Sequence, residues 1–145
     1  MNTAQMAYRC PDARVEGTST IPDYELVFRG PDGGAVATIE PKDGCSVPVV
    51  IWSISASDEF ALDIYEGFPR LYIKQDFNFE LKGEMLNGMA YIMTPGRLHG
   101  APSATYLRTI SQGYEDFNLN RRPLALAAKT SAGAGRLERR CNGRK

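Results

Sequence analysis

The chain has 145 residues, 43% of them hydrophobic and 10% aromatic, which is enough to fill the core of one domain of ordinary size and excludes a disordered or fibrous chain. No apolar run approaches the roughly 20 residues of a bilayer span, and the N-terminus lacks the basic-then-apolar order of a secretory signal, so a cytoplasmic protein that avoids membranes is expected. The formal net charge of zero hides an asymmetry: residues 1–120 carry nine Lys/Arg against sixteen Asp/Glu, a balance of −7, and residues 121–145 carry eight against one, a balance of +7.

Thr3–Tyr8 reads as a short helix, followed by strand signals at Tyr24–Gly30, Ala35–Glu40 and Ser46–Ile54. Pro31-Asp32-Gly33-Gly34 and Lys42-Asp43-Gly44 between them are Gly/Asp turns. Pro48 removes a ladder donor and belongs at a strand start, an edge or a bulge. The apolar run Val47–Ile51 leads into Trp52, which is expected to be buried. After a helical stretch at Ser55–Tyr65 come two further strands, Leu71–Leu81 and Met85–Met93, joined as a hairpin through Lys82-Gly83-Glu84. Ser103–Tyr114 is again helical. Helices scattered among mostly adjacent strands indicate an α+β domain with a curved or closed sheet rather than a doubly wound one.

Beyond Asn120 the segment 121–145 has an Ala/Gly-rich centre and almost no large apolar residue after Leu126, so it reads as a disordered basic tail whose removal leaves stability unchanged. It lacks the aromatic interleaving or amphipathic face of a nucleic-acid or lipid binder, and no nucleic-acid partner is expected. Cys10, Cys45 and Cys141 are an odd number without CxxC spacing, and His99 is the only histidine, which argues against a disulfide framework or a zinc site. Cys10 reads as a small packed residue and His99 as an exposed loop residue.

The most informative stretch is Ser55–Tyr65. Ser55 followed three residues later by Asp58 makes a capping-box start, and Phe60, Ala61, Ile64 and Tyr65 recur at helical spacing. Gly67 suits the left-handed position after the helix, and Pro69 forbids continuation. Glu66 therefore falls at the negative end of the helix dipole, where a carboxylate costs roughly 0.3–1 kcal/mol. If Tyr65, Phe68 and Tyr72 also restrict its access to water, both effects raise its pKa toward the value a general base needs near neutrality.

Arg9-Cys10-Pro11-Asp12-Ala13, Gly17, Asp23–Gly30, Val36–Pro41, Ser46–Trp52 and Leu62–Tyr72 follow one another in an order and spacing that resembles the gamma-glutamylcyclotransferase-like (AIG2-like) family, over residues 1 to about 120. The resemblance implies a small mixed β-barrel with peripheral helices, working without metal or cofactor. The activity it implies is cyclisation of a γ-glutamyl amide or γ-glutamyl amino acid to 5-oxoproline with release of the amine, the chemistry of glutathione metabolism. Glu66 falls on the family's catalytic position as general base and then acid, and Tyr72 matches a tyrosine that orients that carboxylate or the substrate. Family members carry a Tyr-Gly-Ser-Asn loop after their first strand, whose backbone helps form the substrate pocket. Met1 matches its last position and is a substrate-binding candidate, so the chain beginning here is expected to be less active and less stable than one with that strand. A binding or regulatory protein that keeps the fold without catalysis is the alternative.

Overall fold

The computed structural model describes residues 2–143, and Met1, the candidate at the family's loop position, lies outside them. Along the chain run α1 (Thr3–Arg9), β1 (Arg14–Arg29), β2 (Val36–Ser53), α2 (Ala56–Glu66), β3 (Tyr72–Leu81), β4 (Glu84–Met93), α3 (Ala104–Asp116) and α4 (Arg122–Asn142). No described helix is long and apolar enough to cross a membrane.

The architecture is α+β as expected, but the sheet is not a closed barrel. The strands form two separate antiparallel ribbons, β1 with β2 and β3 with β4. The ribbons are tied by side chains rather than by a shared ladder: the Met93 N–H donates to Thr38 Oγ1 at 3.0 Å, and the Tyr72 hydroxyl donates to the Ala37 carbonyl at 2.7 Å. Between them lie the buried Ile21, Val47, Phe77, Phe79 and Met93, alternating with exposed neighbours along β3 as period-two burial requires.

The Lys42-Asp43-Gly44 signal does not reverse the chain. It opens a bulge in one long strand, where residues 42–45 stand opposite the single residue Asp23 and pairing resumes at Pro22–Ser46. Asp23, at φ 57°, accepts the Gly44 N–H on its Oδ1 at 3.0 Å. Turn residues thus bend a ribbon here, the ordinary consequence of extra residues on one strand. Pro48 sits in a two-stranded ribbon, where one side of every strand is an edge. Trp52 is half-buried rather than buried, edge-on to Phe117, and its indole N–H is enclosed without a hydrogen-bond partner among the described residues.

The expectation of a disordered tail is corrected by α4. Leu124 and Ala127 join the buried cluster of Phe28, Ala35 and Tyr114. Ser131 Oγ accepts the Phe28 N–H at 2.9 Å. A Cβ added to Gly135 would stand 2.1 Å from the His99 carbonyl oxygen, so only glycine lets the helix approach so closely. His99 is correspondingly a paired residue and not an exposed loop residue: its Nδ1 lies 2.7 Å from Glu138 Oε1, and its N–H donates to Glu138 Oε2 at 2.9 Å. Small residues, not large ones, make this helix adhere; the few buried apolar groups are supplemented by close backbone approach and paired polar groups.

Candidate active site

The helix α2 begins as its sequence dictates. Ser55 Oγ accepts the Asp58 N–H at 3.1 Å, and Asp58 Oδ2 accepts the Ser55 N–H at 3.3 Å, closing the capping box. Gly67 ends the helix in the left-handed conformation at φ 65°, its N–H returned to the Asp63 and Ile64 carbonyls. That sharp stop makes Glu66 the final helical residue, where its side chain leaves the helix beside the start of β3.

Glu66 opens into a cavity of about 410 Å³ whose walls come from six elements and the loop after α2: Gln5 and Arg9 of α1, Ala37 of β2, Tyr65 of α2, Leu71 of that loop, Tyr72 of β3, Tyr91 of β4 and Tyr106 of α3 among them. Arg9 and Glu66 are the two charged side chains among the lining residues described. Burial pushes the Glu66 carboxyl above the ordinary carboxylate range, and the Arg9 guanidinium opposes the rise. The aromatics named from sequence contribute unequally. Tyr72 is 7% exposed, whereas Tyr65 at 53% and Phe68 at 39% leave much of their rings in water. The half-burial of Glu66 thus comes from the cavity walls more than from its sequence neighbours.

Tyr72 is brought to the same cavity, but its hydroxyl is already committed. It donates to the Ala37 carbonyl, while the Ala37 N–H donates to the Tyr106 hydroxyl at 3.1 Å. One residue of β2 is therefore held on both its backbone groups by two tyrosines from β3 and α3, which fixes the cavity's back wall. Burial raises the pKa of Tyr72 and of Tyr106, so both stay neutral across the physiological range. Sequence reading missed Tyr106 because a tyrosine on a helix face looks like core; only the topology shows its hydroxyl meeting a strand.

A second network supports the wall from outside. Lys74 Nζ lies 2.6 Å from Glu59 Oε1 and 2.8 Å from Asp63 Oδ1, and the Tyr91 hydroxyl donates to Asp63 Oδ1 at 2.5 Å. Its charges are mutually satisfied, which leaves Lys74 no role inside the cavity. The i,i+4 spacing of Glu59 and Asp63 on α2 is the sequence signal for it. Among the described residues no three His, Cys, Asp or Glu side chains gather as a metal site. Cys10 is buried, its Sγ 3.8 Å from the Asp58 carbonyl oxygen, and burial raises its pKa, as suits a packed thiol.

The chemical capacity of this arrangement is that of one carboxylate with raised proton affinity in a cavity walled by neutral phenols, with one guanidinium nearby. The family model described as "Gamma-glutamyl cyclotransferase, AIG2-like" matches residues 1–115. No curated protein matches. Among solved structures, an uncharacterized protein from Homo sapiens is similar with a TM-score of 0.76 at 23% identity, over 86% of this chain and 79% of that one. A structure titled "Gamma-glutamyl cyclotransferase" is similar with a TM-score of 0.75 at 22% identity, over 86% and 79% of the two chains. YkqA from Bacillus subtilis gives 0.71 at 19% identity over 88% of this chain but 47% of its own. At these identities the structures speak for the fold.

Proposed function

Because the chain belongs to the gamma-glutamyl cyclotransferase, AIG2-like family, we propose that it cyclises a γ-glutamyl amide or γ-glutamyl amino acid to 5-oxoproline and frees the amine, with Glu66 as the proton-transfer group. The observation that carries this reading is the state of Glu66: a half-buried carboxylate in a cavity, its proton affinity raised by burial, and no hydrogen bond or ion pair among the described residues to occupy it.

In such a substrate the nucleophile is tethered, since its own α-amino group can fold onto the γ-carbonyl carbon to close a five-membered ring. Holding the bent conformer supplies much of the rate. Glu66 takes a proton from the ammonium group and the freed amine attacks the γ-carbonyl carbon; the bond to the leaving nitrogen breaks as Glu66 gives that proton to it, and the second proton of the ring nitrogen passes to the departing amine, which leaves as an ammonium ion. One carboxylate serves both steps because its raised pKa brings it closer to neutrality. Tyr72 acts through shape: with its hydroxyl held on Ala37, its ring forms the wall against which the substrate bends. Incubation of the chain with γ-glutamylalanine and with γ-glutamylethylamine, followed by mass-spectrometric measurement of 5-oxoproline, tests the reading. Product above the uncatalysed rate from either supports it, and none from both overturns it.

A further inference from the structure

Arg9 shares the cavity with Glu66 yet is not paired with it. The residue ends α1, and its position is fixed on two sides: Cys10, the next residue, is buried against the Asp58 carbonyl, and the Asp12 N–H reaches Asp58 Oδ1 at 3.5 Å. The guanidinium lies over the Tyr65 ring, 3.4 Å from its centroid. Stacking of this kind holds the planar group in place and leaves its edge N–H donors free. Among the described residues no carboxylate stands within ion-pair distance of Arg9, and its side chain donates no hydrogen bond there. The other described ion pairs engage Arg29, Lys42, Lys74, His99, Arg121 and Arg139, each with an acidic partner. An arginine and a glutamate that line one cavity without meeting leave between them a gap with opposite charges at its two ends.

We propose that Arg9 is a specificity-determining residue that binds a carboxylate of the γ-glutamyl substrate through its free guanidinium edge while the ammonium group faces Glu66. The assignment rests on the cyclotransferase reading for its substrate class. A guanidinium fork matches a carboxylate bidentately, and an amino-acid head presents negative and positive groups on one carbon. The carboxylate comes from one of two sources, the α-carboxylate of the glutamyl moiety or the carboxylate of a leaving amino acid. Binding it has a consequence at the other end of the gap. Arg9 holds the Glu66 pKa down, and neutralising Arg9 removes that restraint just as the substrate arrives.

Three compounds separate the sources: γ-glutamylalanine carries both carboxylates, γ-glutamylethylamine only the α-carboxylate, and 4-aminobutyrylalanine only the leaving group's. Turnover of each is measured on the parent chain, Arg9→Gln and Arg9→Lys, and binding of each is measured by calorimetry on the same three in a Glu66→Gln background. If the α-carboxylate is held, Arg9→Gln weakens binding and raises KM about 10- to 100-fold for the two γ-glutamyl compounds and spares 4-aminobutyrylalanine. If the leaving group is held, the two alanine compounds lose and γ-glutamylethylamine is spared. Arg9→Lys, which keeps charge but not the fork, loses less in the same pattern. Equal loss on all three compounds, or on none, overturns the assignment. Should the parent bind these compounds without turning any over, the cyclotransferase reading fails, while the binding pattern still decides the role of Arg9.

Discussion

The two ends of α2 treat a carboxylate in opposite ways. At the start, Asp58 is 2% exposed and fully employed, accepting the Ser55 N–H across the capping box and the Asp12 N–H from the preceding segment. At the end, Glu66 sits half-buried at the unfavourable pole of the helix dipole, with no partner among the described residues and burial acting against its charge. The first placement stabilises the fold and leaves the group nothing else to do. The second costs stability and leaves a group whose proton is available, which is the usual signature of a site shaped for chemistry. Substitutions at each end should therefore separate activity from stability.

Glu66→Gln keeps size and hydrogen-bonding capacity but cannot accept the ammonium proton. Release of 5-oxoproline should fall at least about 100-fold, the lower range for removal of a general base, while the circular dichroism spectrum is unchanged. Turnover at the parent rate would remove Glu66 from the mechanism and, with it, the contrast between the two ends of the helix.

Asp58→Ala should do the reverse, lowering stability by about 2 kcal/mol through loss of the cap and of two backbone donors' partner. Catalysis per folded molecule should fall far less than in Glu66→Gln, with any loss appearing in KM through the Asp12 contact that helps hold Arg9. Asp58→Asn, which retains an acceptor, should lose less than half as much in urea unfolding; an equal loss would show that charge and not capping is what Asp58 contributes.

Ser131 extends the same comparison to α4, as a buried polar group whose oxygen accepts a backbone hydrogen bond. Ser131→Ala leaves the Phe28 N–H without its partner and should cost about 1–2 kcal/mol in the same measurement. An unchanged midpoint would mean that α4 contributes no more than the tail expected from sequence.

Legibility followed chemistry that is local. Both ends of α2, and thus the odd position of Glu66, were readable because Ser55, Asp58, Gly67 and Pro69 act within a few residues of themselves. The hairpin at Lys82-Gly83 was readable for the same reason. The continuity of β2 through Lys42-Asp43-Gly44 was not, because whether such residues reverse a chain or bulge it depends on the strand opposite. α4 was hidden by its composition: Leu124, Ala127, Ser131 and Gly135 recur at helical spacing, yet small residues add little to a hydrophobicity profile and glycine costs about 1 kcal/mol in a helix. Their value lies in how near they let the helix come to β1 and to the His99 backbone, which is a property of the partner surface. The cavity's tyrosines were likewise invisible as a set, since Tyr72, Tyr91 and Tyr106 meet only in the folded chain.

The smallest expected effect is the most direct test of the contrast, because it reads the strain at Glu66 without any substrate. Its carboxyl has a raised pKa in the folded chain, so between the unfolded value of about 4.3 and the native one the folded state binds more protons. Stability contributed by that proton is fully present below the unfolded pKa and is lost as pH rises through the native pKa. Glu66→Gln has no such proton to lose. The difference in stability between variant and parent should be near its minimum at pH 4, grow in favour of the variant as pH rises, and level off once pH has passed the native pKa that burial has raised. Urea midpoints for both chains at half-unit steps from pH 4 to 8 measure it. A difference that stays flat, or that turns against the variant with rising pH, would mean that the folded chain holds the Glu66 charge as comfortably as it holds Asp58, and the two ends of the helix would no longer differ in kind.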